Sequence, residues 1–211
     1  MIVLHGYFRS SAAWRVRIAL NIKGLSVTHV SHHLRRKDQN APSYLALNPQ
    51  GLVPALETDA GAVLTQSLAI VEWLDETHPT PKLLPADPMA RARVRAFALA
   101  IAADTHPLQN LKILRRLMAA GLTEQAANAW AGEANSDGLG ACEALLASAA
   151  GPFCFGDAPG LADICLIPQL ASGRRFGVDV SQYPRLLSRE AACLALPAFA
   201  DADPMRQPDA E

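Results

Sequence analysis

Residues 79–88 read PTPKLLPADP, and the four prolines in this stretch limit every fold open to the chain. Proline lacks a backbone donor and drives the residue before it out of helical geometry, so neither a helix nor a sheet ladder runs through. The chain divides here, and its two sides carry different periodicities. On the amino side strand-like and helix-like segments alternate. Residues 2–7 are short and apolar enough for a strand. Residues 12–23 place Trp14, Ile18 and Ile22 at four-residue spacing and end at Gly24, where a helix-terminating glycine belongs. Residues 26–32 read as a second strand, blurred by histidines. Residues 53–58 and 62–65 flank Asp59-Ala60-Gly61, a hairpin turn. Residues 67–78 return to helical spacing through Leu68, Val71 and Leu74.

Beyond the prolines the pattern is helical throughout. Asp87 with Pro88 makes an N-cap and first-turn pair that opens a helix reaching residue 104. A second helix is expected over 107–120 and a third over 123–150. The third is weakened in its middle, because Gly132, Gly138 and Gly140 each cost a helix about 1 kcal/mol relative to alanine. Residues 161–170 are almost all apolar and read as a central buried helix. A β-α-β unit followed by β-β-α is the order of a thioredoxin-like domain. The expected organisation is a thioredoxin-like domain over 1–80, a proline-rich linker over 81–86 and an all-helical domain over 87–211.

Composition narrows the partners. The net charge is -1 over 211 residues, which gives no global electrostatic case for nucleic acid or an anionic membrane. No apolar run approaches the roughly 18 residues that span a bilayer, and the start MIVLHGYFRSS lacks the layout of a secretory signal. Cys142, Cys154, Cys165 and Cys193 are scattered without a CxxC pair. That spacing fits inert thiols in a reducing cytosol better than a disulfide framework or a metal site. A cytoplasmic protein without a bound metal is the expectation.

Three short segments carry polar chemistry. In RSSAAWRVRIAL, Ser10 and Ser11 stand at a helix start, where a serine ordinarily accepts a bond from an orphaned N–H. The doubling leaves one hydroxyl for another task. Arg9 and Arg15 bracket the positive end of the helix dipole, a poor place for cations unless an anion is near. In NPQGLVPALE, a turn leads through Val53-Pro54 into a strand, so a cis bond there would turn the backbone of Val53 outward. In LTQSLAIVEWL, Gln66-Ser67 lies where a strand hands over to a helix. Read alone Ser67 caps that helix, with Ile70 three residues on offering no reciprocal partner. Together the segments describe a peptide cradle, with one helix start for a thiol, a strand edge for a backbone and another helix start for a carboxylate.

These residues resemble the zeta-class glutathione transferases. RSSAAWRVRIALNIKGL, ALNPQGLVPAL, LTQSLAIVEWLDETHP, ADTHPLQNLKIL, LADICLIPQLASGRRFGVDVSQYP and the late RQPDAE occur in the order of that family, along nearly the whole chain. The serine doublet with RVRIAL is the class-specific element, while NPxGxVP and QSxAI are shared more widely among glutathione transferases. The resemblance implies a thioredoxin-like amino domain (βαβαββα), an all-helical carboxyl domain, a homodimer and glutathione as cofactor. It places Ser10 and Ser11 by the thiol, Gln39 in the loop after the second strand, Val53 on the tripeptide backbone, and Gln66 and Ser67 on the γ-glutamyl carboxylate. Arg15 is added to that set, with His106 and Asn110 near glutathione. Arg9, Arg175 and Lys112 fall to the carboxylates of a small dicarboxylate substrate, with Arg9 also counted among the catalytic residues. The implied reaction is glutathione-dependent cis–trans isomerisation, maleylacetoacetate to fumarylacetoacetate, by reversible thiolate addition to the double bond. Maleylpyruvate is the alternative substrate, and general conjugation of electrophiles the alternative activity. A non-catalytic interaction module is disfavoured by retention of Ser10, Ser11, Gln66 and Ser67.

The chain also departs from the family pattern. Ala12 stands where eukaryotic members carry cysteine. Leu111-Lys112 replaces the paired arginines associated with maleylpyruvate isomerases, which tilts the expected substrate towards maleylacetoacetate. Gly160 replaces the usual Thr or Ser that caps the buried helix. That loss is mild, roughly a few tenths of a kcal/mol, and Asp163 can still reach back to the N–H of residue 160.

Overall fold

A computed structural model describes residues 1–211, which form two compact units: residues 1–82 with 195–211, and residues 83–194. The first unit is built on a four-stranded sheet ordered β2-β1-β3-β4, from β1 (Val3–Gly6), β2 (Thr28–Ser31), β3 (Ala55–Glu57) and β4 (Val63–Thr65). β1 runs parallel to β2 and antiparallel to β3, and β4 is antiparallel to β3. Helix α1 (Ser11–Ile22) provides the crossover between the parallel pair, as a parallel connection requires. It packs on α3 (Ser67–Thr77). Their shared core includes Ile18, Leu20, Ile70, Val71 and Leu74, each at most 1% exposed. Lys23, at the carboxyl end of α1, is buried and donates to Asp75 of α3 at 2.7 Å. A lysine so placed needs that carboxylate, because an isolated buried charge is costly. A short helix α2 (Pro42–Leu47) brings Tyr44 against Tyr7, Phe8, Val53 and Ala55. The Val53–Pro54 bond is cis.

Of the histidines that blur the second strand, His32 is tied into a polar chain. His5 Nδ1 lies 2.9 Å from His32 Nε2, and His5 Nε2 lies 2.6 Å from Glu57 Oε1, so β1, β3 and the end of β2 share one polar chain. Burial, aided by His5, holds the His32 imidazole below its ordinary pKa.

The second unit is helical: α4 (Pro88–Leu99), α5 (Leu111–Ala119), α6 (Glu124–Leu145), α7 (Leu161–Arg175) and α8 (Pro184–Leu194). Asp87 caps α4, its Oδ1 accepting from Ala90 N at 2.8 Å. The helix expected to reach residue 104 ends sooner. It passes into a π-helical turn over Ala100–Thr105, where Thr105 Oγ1 donates to the carbonyl of Ala100 at 2.7 Å. The expected second helix is likewise broken, into a 3-10 turn over His106–Gln109 and α5, because Asn110 caps the new start by accepting from Ile113 N at 3.0 Å.

The glycines of α6 do not interrupt it, and it runs unbroken for 22 residues. They answer tertiary packing: a methyl on Gly138 would collide with Thr105 Oγ1, and one on Gly132 would come within 3.1 Å of the Phe176 carbonyl. Gly160 has the same explanation. A Cβ there would sit 2.7 Å from the Leu83 carbonyl, which accepts from Leu161 N at 3.0 Å. Asp163 Oδ2 does accept from Gly160 N, at 3.0 Å. α7 lies at the centre of this unit, buried almost from end to end.

The expectation that everything after residue 87 forms one helical domain is corrected. Residues 195–211, including α9 (Pro197–Ala200), pack with the first unit. Asn21 donates to the carbonyl of Ala198 at 3.0 Å, and the buried Arg17 Nε donates to that of Ala202 at 3.2 Å. All four cysteines are buried and unbridged, and burial pushes the Cys142 thiol up to about 12.

Candidate functional site

The first unit carries the three predicted cradle segments. β1 ends at Gly6, and a turn closed by Ser10 N donating to the Tyr7 carbonyl at 3.0 Å leads into α1. Ser10 is the N-cap, its Oγ accepting from Ala13 N at 3.2 Å. Ser11 is the first helical residue and is buried. Capping uses only a lone pair of the Ser10 oxygen, so its O–H remains a donor. Arg9 is exposed beside it. The neighbouring Tyr7 phenol is pushed up by burial against the opposing pull of Arg9, so it stays protonated at neutral pH.

The third segment differs from its sequence reading. Ser67 does not cap α3; it is the first helical residue, and the N-cap is Gln66, whose side chain makes no capping bond. The Gln66 backbone has φ +68°, left-handed geometry that costs a non-glycine residue about 1–3 kcal/mol. Its carboxamide donates to Gln50 Oε1 at 2.8 Å. Arg15, 1% exposed, donates from Nη1 to Ser67 Oγ at 3.4 Å. The cation that in sequence belongs to the start of α1 is thus delivered to the start of α3. A guanidinium and a helix dipole of the same sign meet at Ser67, an arrangement that an anion stabilises.

Two further segments of the same unit carry the remaining predicted residues. Val53 is buried in the segment that enters β3. Gln39, in a 3-10 turn over Asp38–Asn40 after β2, is 8% exposed, and its Oε1 has no protein partner. An orphaned buried acceptor calls for a donor from outside the chain. A hydroxyl donor, a carbonyl acceptor and a cation at a helix start, all on one unit, suit a peptide that carries a thiol, amides and a carboxylate.

The second unit holds the other predicted residues. Arg175 stands at the end of α7, exposed, with its guanidinium over the Phe176 ring at 4.8 Å. Its Nη2 donates to Ser172 Oγ at 3.4 Å. Ser172 donates to Gln109 Oε1 at 2.6 Å, and Gln109 Nε2 lies 3.4 Å from His106 Nδ1. Gln109 and Ser172 are almost fully buried, so a chain of side-chain bonds ties His106 to Arg175. Asn110 faces α5 with its capping oxygen, and Lys112 is exposed in the first turn of that helix. Gln109 and Ser172 were not singled out by the sequence. Their only signal is polarity at buried positions, which is visible once burial is known.

Comparison with known proteins agrees with this picture. The sequence profile of the glutathione S-transferase N-terminal domain family matches residues 4–82. A maleylpyruvate isomerase from Ralstonia is 48% identical over 98% of both chains. The holo structure of a maleylpyruvate isomerase, described as a bacterial zeta-class glutathione transferase, superimposes with a TM-score of 0.95 at 46% identity, covering 99% of this chain and 100% of that one. The maleylacetoacetate isomerase of Methylobacterium extorquens, solved with glutathione and malonate bound, gives the same TM-score at 44% identity, with 99% of each chain covered. Matched along almost its entire length at such identity, the chain belongs to the zeta class of the glutathione transferase family.

Proposed function

We propose that this chain is a glutathione-dependent cis–trans isomerase of a maleyl keto acid, with maleylacetoacetate as substrate and fumarylacetoacetate as product. The observation that carries the reading is the buried Arg15 guanidinium meeting Ser67 at the start of α3, in the same unit as the Ser10 hydroxyl at the start of α1. It is supported by relatives of nearly the same length named maleylacetoacetate isomerase or maleylpyruvate isomerase, one maleylacetoacetate isomerase holding glutathione and malonate.

When bound, glutathione supplies a thiolate that adds reversibly to the olefin, so it is recycled and not consumed. The chain's own residues do the rest. Gln66, Ser67 and Arg15 hold the γ-glutamyl carboxylate, Val53 and Gln39 the peptide groups, and His106 and Asn110 complete its binding. Ser10 donates its O–H towards the sulfur position. With the dipole of α1 and the charge of Arg9, it lowers a thiol pKa that is about 8.5 in water. Arg9, Arg175 and Lys112 bind the substrate carboxylates and stabilise the negative charge that develops during addition. Leu111-Lys112, in place of paired arginines, favours maleylacetoacetate over maleylpyruvate. The working protein is read as a cytoplasmic homodimer.

The test is turnover of maleylacetoacetate and of maleylpyruvate with glutathione far below the substrate concentration. Complete conversion supports recycling, and faster conversion of maleylacetoacetate supports the substrate assignment. A stall after one equivalent of glutathione overturns isomerisation in favour of conjugation. Arg175→Ala should raise the KM for the dianion more than that for glutathione; an unchanged substrate KM removes Arg175 from the site.

A further inference from the structure

Phe8 lies in the turn between β1 and α1, one residue before Arg9 and two before Ser10, and both of its backbone polar groups are held from outside that turn. Its N–H donates to Asp209 Oδ2 at 3.1 Å, and its carbonyl accepts from Arg17 Nη2 at 2.9 Å. The same Asp209 oxygen accepts from Ser31 Oγ, at the end of β2, at 2.6 Å. Arg17 is in turn fixed by the carbonyl of Ala202. The 195–211 segment therefore reaches Phe8 twice, directly through Asp209 and indirectly through Arg17. On either side of Asp209 the segment is fastened further. Ala210 packs on the cluster of Tyr7, Phe8, Tyr44, Val53 and Ala55, and the Glu211 carboxylate pairs with His33 at 3.0 Å and Arg36 at 3.4 Å.

A turn this short passes its backbone orientation on to the residues after it. Rotation of the Phe8 peptide would redirect Arg9 and shift the Ser10 cap. One oxygen that accepts both an N–H and an O–H as a carboxylate makes charge-assisted bonds, stronger than neutral ones. We infer that Asp209 is a positioning residue: the 195–211 segment acts as a strap that fixes the Phe8 peptide, and through it the directions of Arg9 and the Ser10 hydroxyl. This inference rests on the reading above that Ser10 and Arg9 serve the thiol and the substrate.

Asp209→Ala, Asp209→Asn and Glu211→Gln in the full chain separate the possibilities. Hydrogen exchange of the Phe8 amide, measured without glutathione, should quicken about tenfold in Asp209→Ala and stay near wild type in Asp209→Asn, whose carboxamide oxygen still accepts. With glutathione, Asp209→Ala should lower kcat about tenfold or more while the KM for glutathione holds within about twofold, since misplaced reacting groups cost rate before binding. Asp209→Asn should restore kcat, and Glu211→Gln should alter neither readout. Ser31→Ala, which removes one of the two donors on the same oxygen, should act in the same direction and less strongly; it decides the matter if Asp209→Ala does not fold. An unaltered Phe8 exchange rate in the alanine variant, or faster exchange with an unchanged kcat, overturns the inference. If the wild type itself fails to turn over with glutathione, the isomerase reading falls, while the Phe8 exchange rates still decide whether Asp209 holds the turn.

Discussion

Helices α1 and α3 pack on each other, yet they begin in opposite ways. α1 opens on Ser10 with a side-chain cap on Ala13 N. α3 opens on Gln66 in left-handed backbone, without a side-chain cap, and with a buried guanidinium at its first residue. The first start has a side-chain cap on one of its N–H groups and keeps one hydroxyl proton to give away. The second has no side-chain cap and adds a cation that belongs in sequence to the other helix. The difference teaches that one physical device, the helix amino terminus, can be fitted out for two different chemical tasks. A capped start with a spare O–H is suited to tuning a thiol, and an open start with added charge is suited to a carboxylate.

The comparison makes its largest claim at Ser10. Ser10→Ala removes the thiol donor and the cap together, so kcat should fall about a hundredfold, on the scale of losing one preorganised donor. Stability should fall by about 1 kcal/mol, read by urea unfolding. Ser11→Ala, at a buried position that caps nothing, should cost far less rate. Equal effects of the two alanine variants would break the assignment of the donor to the capping residue.

At the open start the expected signature is reversed. Arg15→Met, which keeps most of the volume and removes the charge, should raise the KM for glutathione about tenfold to a hundredfold, with kcat nearly unchanged. Ser67→Ala should do the same to a smaller degree. Steady-state titration of glutathione at saturating maleylacetoacetate checks both, and a fall in kcat without a change in KM would erase the contrast between the helices.

Gln66→Gly sharpens the point about strain. Glycine accepts φ +68° freely, so the variant should gain up to about 1 kcal/mol of stability while binding glutathione more weakly. Thermal melts beside calorimetric titration with glutathione would show whether the strain is kept for binding.

The smallest effect belongs to the sheet, away from both helix starts. Burial depresses the pKa values of His29 and His32, so the unfolded chain takes up protons first as pH falls below about 6.5. Stability present above that pH should decline as the solution is acidified towards the lower folded-state values. His32→Gln should flatten the decline in urea unfolding between neutral and mildly acidic pH.

Much of this was legible in the chain itself. The prolines at 79–88, the four-residue spacing from Trp14 to Ile22 and the Asp59-Ala60-Gly61 turn located the four strands, α1 and α3 to within a few residues, whereas α2 and α9 of the same unit went unread. The serine doublet and the two cradle segments marked the candidate site, because helix starts and proline turns advertise themselves locally. What failed were inferences that treated a residue as alone. Gly132, Gly138 and Gly160 looked like defects, yet each clears space for an atom far away in sequence: Phe176, Thr105 and Leu83. Ser67 looked like a cap, and Arg15 looked like a partner of its own helix start.

By itself, then, the sequence determined the alternation of elements, the division at the prolines, the family and the candidate polar residues for a site. Periodicity, turn chemistry and caps are written within a few neighbouring residues. Only the tertiary structure decided that Arg15 serves α3, that Gln109 and Ser172 link His106 to Arg175, and that residues 195–211 return to hold Phe8. Each of these last is a bond between polar groups distant in the chain, and local propensity carries no information about which distant donor will find which buried acceptor.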